Sequence, residues 1–297
     1  MLINTVLIFL QNILPIFVVI SLLLAQQYSN DKIINNDALL SVVSLLKTTA
    51  MGCVCVYLFN YYMPIISQLF SGAGLDIIFS IFFSLIYCVI ACLFFISSSI
   101  NQPSRHLIDN KWCDTRFTPR QISQKYKQKN TLSQSVLFLI FCVHGSYFSF
   151  YITSVNLQIV SFEGGYSGVV MGMIIGTGIC LSVTILLYFA LSTLNKQSSG
   201  KIAHYFLLIF GVGQLMQALQ LLEQVDIVSS DIPLWSTHYL IAENSEVGYF
   251  LTILLGYEAT PSMMELIVYI SAVVAPVIMT NLIAHKKMIA TSTEETF

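Results

Sequence analysis

Seven times along this chain the sequence runs for about 20 residues with almost no charge, at roughly 4–26, 48–69, 75–98, 132–155, 166–193, 202–224 and 262–285. A helix of that length crosses a hydrocarbon core of roughly 30 Å, and a lone spanning segment can satisfy its backbone in lipid only as a helix. The fold class read from this is all-α, a polytopic membrane protein of seven transmembrane helices. With 56% hydrophobic and 9% charged residues, a soluble domain is excluded. The first run lacks a basic leader and a small-residue cleavage site, so it reads as a retained span. Nearly all of 1–297 is membrane or short connection, which predicts a single domain.

Charge sets the expected orientation. The thirteen Lys and Arg fall only in alternate connections: Lys32 and Lys47, then Arg105 to Lys129, then Lys196 and Lys201, then Lys286 and Lys287. By the positive-inside rule these connections are cytoplasmic, which puts the N-terminus out and the C-terminus in. The basic loop 99–131 carries a strongly positive charge suited to anionic headgroups. The opposite side holds Asp76, Glu163, Glu223, Asp226, Asp231, Glu243, Glu246, Glu258 and Glu265 and no base. Such a face attracts cations or a basic outer-face protein, or simply tolerates acids.

Enzymatic chemistry finds no motif: there is no glycine-rich phosphate loop, no nucleophile beside a base and no zinc-ligand spacing. Nucleic-acid binding is excluded by the topology. Six of the seven cysteines (Cys53, Cys55, Cys88, Cys92, Cys142 and Cys180) fall in spans, with Cys113 in the basic loop. They read as small buried apolar side chains. Gly168, Gly172 and Gly176 form a ridge at four-residue spacing that lets another helix approach closely, within or between subunits. In the outer loop 225–261, EVGYFLTILLGY is apolar but too short to span, which predicts a half-buried helix at the outer surface. Trp235, Tyr239 and Tyr249 suit an interfacial belt.

Polar residues inside the spans are the candidates for function. Gln11, Asn12 and Pro15 sit together in the first span. His144 is the one histidine deep in a span, with Tyr147 one turn on. Gln214, Gln217 and Gln220 repeat along the sixth. The expectation is that Gln11 and Asn12 hydrogen-bond across to the fourth span, where His144 is either satisfied locally or a ligand.

The loop before the last span carries a resemblance. Leu234-Trp235-Ser236-Thr237, then Leu240, Glu243, Ser245, Gly248, Gly256-Tyr257 and Pro261-Ser262, resembles the oxidase-dependent iron permeases, the fungal high-affinity permeases and their bacterial relatives. The resemblance implies seven spans, N-terminus out. It also implies an Arg-Glu-x-x-Glu motif in the first and fourth helices, whose glutamates share a face and bind ferric iron. On those positions this chain has Gln11, Asn12 and Pro15, and Val143, His144 and Tyr147. Both arginines and all four carboxylates are absent.

Compensating a trivalent ion in hydrocarbon requires anionic ligands, so the ferric role does not carry over. Three readings follow. The chain is a non-transporting structural or assembly subunit of a membrane complex. Alternatively it is a permease of altered selectivity that uses Asn12, His144 and Tyr147 for another metal, iron included, or for a neutral solute. The third, an unrelated seven-span receptor, lacks the expected basic-aromatic and Asn-Pro motifs. No cofactor is implied; the partners are the bilayer and other membrane subunits. The membrane implied is a bacterial inner membrane.

Overall fold

The computed structural model describes residues 2–28, 42–100, 106–108, 111–113, 119–159, 165–197, 201–229, 233–242 and 245–294. Lys32, Arg105, Arg116, Glu163, Asp231 and Glu243, named above, lie outside them, as does the side chain of Tyr249. Among the described residues there are eight α-helices: α1 (Leu2–Tyr28), α2 (Val42–Ser67), α3 (Gly74–Ile100), α4 (Pro119–Ile159), α5 (Gly165–Gln197), α6 (Lys201–Gln224), α7 (Glu246–Leu255) and α8 (Met263–Glu294). All but α7 are long and apolar enough to cross a membrane. A three-residue ribbon, His106–Ile108 against Lys111–Cys113, lies between α3 and α4.

The spans match the apolar runs to within a few residues except at α4. That helix starts at Pro119, the first-turn position that a proline favours, and the Gln-, Lys- and Ser-rich stretch after it contains no helix breaker. Part of the expected basic loop is therefore helix. Lys129, expected in that loop, is 1% exposed within the bundle.

Cross-helix contacts fix the direction of each span. Thr5 Oγ1 lies 2.8 Å from the Tyr151 hydroxyl and Phe9 packs edge-on to Phe148, so α1 and α4 are antiparallel. Gln134 bonds Ser44 and Asn60 bonds Ser149, so α2 and α4 are parallel. Gly172 abuts Thr5 while Asn195 donates to the Ala25 carbonyl, so α1 and α5 are parallel. Ser80 donates to the Ala218 carbonyl and Ser97 bonds His204, so α3 and α6 are antiparallel. Lys47, Lys125, Lys127, the C-terminal end of α5 and the N-terminal end of α6 consequently share one side of the bundle.

These contacts reveal an inverted repeat, in which α1–α3 correspond to α4–α6. The most extensive pairings are α1 with α5, α2 with α4, and α3 with α6, a set that is unchanged when the halves are exchanged. Side chains repeat it in register. A Cβ on Gly176 of α5 would meet the Phe9 ring of α1, and a Cβ on Gly52 of α2 would meet the Phe141 ring of α4. Phe9 and Phe141 are 132 positions apart, as are Asn12 and His144, and Pro15 and Tyr147. The antiparallel register of Thr5 with Tyr151 also sets Asn12 level with His144. Asn12 and Pro15 of one half thus lie level with His144 and Tyr147 of the other, where the halves cross.

The glycine ridge of α5 is spent inside the chain. A Cβ on Gly172 would lie 2.8 Å from Thr5 Cβ and 3.1 Å from the Leu2 carbonyl oxygen. The cysteines divide differently from expectation. Cys142 and Cys180 are buried, but Cys53, Cys88 and Cys92 are exposed on the outside of the bundle, where a small apolar side chain meets lipid at little cost. Cys55 lies beside Cys142 across the α2–α4 contact, rather than acting with Cys53.

The short helix α7 departs most from the sequence reading. It does not rest at the surface. Its C-cap, Gly256, adopts φ 68°, and a Cβ there would stand 2.8 Å from Gly213 Cα. Gly213 is the middle residue of the span Ile202–Gln224. At 1.5 Å per residue the ten residues of α7 cover about 15 Å, half the hydrocarbon core. The segment is therefore re-entrant. Two glycines in backbone contact permit the approach, and the chain turns back with its polar groups satisfied. Gly256 N–H donates to Thr252 O, Thr252 Oγ1 donates to Tyr257 O, and Thr237 N–H donates to Ala259 O. Irregular backbone at that depth is tolerated only when shielded by protein.

Candidate functional site

The crossing of the halves is built from α1, α3, α4 and α6. His144 is 4% exposed, and its Nε2–H donates to Gln214 Oε1 at 3.1 Å. An amide oxygen only accepts, so this contact requires the proton on Nε2. Gln214 is fully buried next to Gly213, and its Nε2 has no acceptor among the described residues. A buried unmet donor costs about 1–3 kcal/mol. Among the described residues, that group is the one buried side-chain polar atom at the crossing without a hydrogen-bond partner.

The rest is aromatic. Tyr147 stacks on Phe79 with ring centroids 4.2 Å apart and planes 22° from parallel. Phe83 lies edge-on to His144 at 5.7 Å, and Phe59 and Phe150 also pack on Phe79. Beside this stack the cavity lined by Phe79, Cys142, Val143 and Ser146 holds about 10 Å³, scarcely one water. Where the family resemblance would place four carboxylates, this chain has a stacked phenol, a bonded imidazole, an amide and a proline.

Asn12 does not reach His144. Its Nδ2 donates to Ile8 O on its own helix at 2.9 Å. Gln11 is exposed on the outside of the bundle, while Pro15 is buried. The expected hydrogen bonds from Gln11 and Asn12 to α4 are thus replaced by the one between Thr5 and Tyr151. The reason is helical phase: adjacent residues diverge by about 100°, so the contact face through Thr5 and Phe9 turns Gln11 away. Val143, the other arginine-matched position, is buried in the core. Sequence reasoning singled out His144 and noted Gln214, Gln217 and Gln220 as a polar row on the sixth span, but it did not pair His144 with Gln214. It missed Phe79 and Phe83, which look like any aromatics in an apolar span.

A second polar group lies near the acidic end. Gln220 Nε2 donates to Glu258 Oε2 at 3.2 Å. Glu265 closes a capping box at the start of α8, accepting from Ser262 N–H at 2.8 Å while its own N–H donates to Ser262 Oγ at 3.2 Å. Among the described residues no three His, Cys, Asp or Glu side chains gather closely enough to hold a metal ion. No protein-family model matches the chain, and neither does any curated protein or solved structure.

Proposed function

We propose that the chain is an integral protein of a bacterial inner membrane, similar in architecture to the oxidase-dependent iron permeases, that does not transport ferric iron and serves as a structural or assembly subunit of a membrane complex. One observation carries this reading. The positions matched to carboxylates in both halves lie level with one another at the crossing, and they hold neutral side chains: Tyr147 on Phe79, His144 on Gln214, Asn12 on Ile8 O, and Pro15. The basic side of the bundle faces the cytoplasm in this reading, with both the N-terminus and α7 toward the exterior.

A permease of altered selectivity is favoured by a different observation, the unmet Gln214 Nε2 beside His144. A buried donor suits a neutral solute bearing an acceptor better than it suits a metal cation. Iron uptake tests the non-transporting reading. Liposomes containing the wild-type protein should take up no more ferric iron than empty vesicles. Saturable uptake that disappears in His144→Ala would replace the subunit reading with the transporter.

A further inference from the structure

A cavity of about 300 Å³ opens on the acidic side between α6, α8, the end of α7 and the segment around Trp235. That is the lower end of the range for small-molecule sites. Its walls include Trp235, Tyr257, Tyr269, Glu258 and Glu265, and among the described residues no basic side chain lines it. Glu265 is 2% exposed; its Oε2 is occupied by the Ser262 N–H, and its Oε1 is buried without a partner among the described residues. A capping box requires only one carboxyl oxygen. The second is left with an unmet demand for a donor in the wall of an otherwise aromatic cavity.

We propose that this outer cavity binds a small organic ammonium ion, which donates a hydrogen bond to Glu265 and packs its alkyl body against Trp235, Tyr257 and Tyr269. Ring faces attract cations, most strongly when both are removed from water. An N⁺–H donor meets a carboxylate oxygen in a short, charge-assisted bond. Hard inorganic cations instead call for six or more oxygens, and two acids among three rings fall short of that number. Glu258, held by Gln220, adds the second negative charge. The inference stands whether or not the centre conducts.

Trp235 supplies the reporter. In the full-length Trp112→Phe protein in detergent, Trp235 is the one remaining tryptophan, and its fluorescence should respond saturably to propylammonium chloride. The half-saturation concentration should be at least tenfold below that for sodium chloride, magnesium chloride or uncharged 1-propanol. Glu265→Gln preserves the capping box, so it should leave thermal unfolding unchanged while weakening binding tenfold or more. If that variant does not fold, Glu258→Gln must show the same weakening. Failure to saturate overturns the proposal. So does an equal response to 1-propanol, tighter binding of magnesium, or unchanged affinity in the glutamine variant that folds.

Discussion

Gly256→Val should lower the thermal unfolding midpoint of the detergent-solubilised protein by about 3–8 °C. Two costs add. A non-glycine residue held at φ 68° pays about 1–2 kcal/mol. Its Cβ would also press on Gly213 Cα at 2.8 Å, and backbone cannot give way as a side chain does. Overpacking of that kind costs about 1–3 kcal/mol. The conversion to temperature follows from the unfolding entropy of a chain of this size. A differential-scanning measurement showing a shift under 2 °C would mean that α7 does not dock on the middle of α6.

The second large effect tests the repeat. Gly176→Leu and Gly52→Leu each force a side chain into a phenylalanine ring, Phe9 in one half and Phe141 in the other. Each should cost about 1–3 kcal/mol, or roughly 2–5 °C. Gly178→Leu is the control: it meets nothing within 4 Å and should stay near neutral. Because the α5 ridge packs on α1 of the same chain, Gly172→Leu should likewise destabilise the fold itself. Loss of oligomers at unchanged melting temperature would instead place the ridge at a subunit interface.

The spans were legible because an apolar run long enough to cross a membrane has few other uses. The glycine ridge was legible as a packing face, but its partner was not, since the same spacing serves contacts within and between chains. His144 stood out as an ionisable group in hydrocarbon, whereas its packing against Phe83 and its bond to Gln214 are a matter of register between helices. Gln11 was misread because adjacency in sequence is divergence on a helix. The insertion of α7 depends on Gly213 and Gly256 meeting, and neither glycine announces the other. Ten apolar residues suit an interfacial helix equally well. The inverted repeat became readable only when Phe9 and Phe141 were seen on equivalent glycines.

Closure of the crossing is tested most directly by thiol reactivity. Ser146 is buried beside Phe79 and Val143, and cysteine is nearly its isostere. With the seven native cysteines replaced, Ser146→Cys should remain unlabelled by a membrane-impermeant, water-soluble thiol reagent applied from either side. Tyr239→Cys, at a position 83% exposed on the acidic side, should label readily from outside intact cells. Labelling of Ser146→Cys at a rate comparable to the Tyr239 position would reveal a water-filled path through the centre, and would contradict the packed crossing.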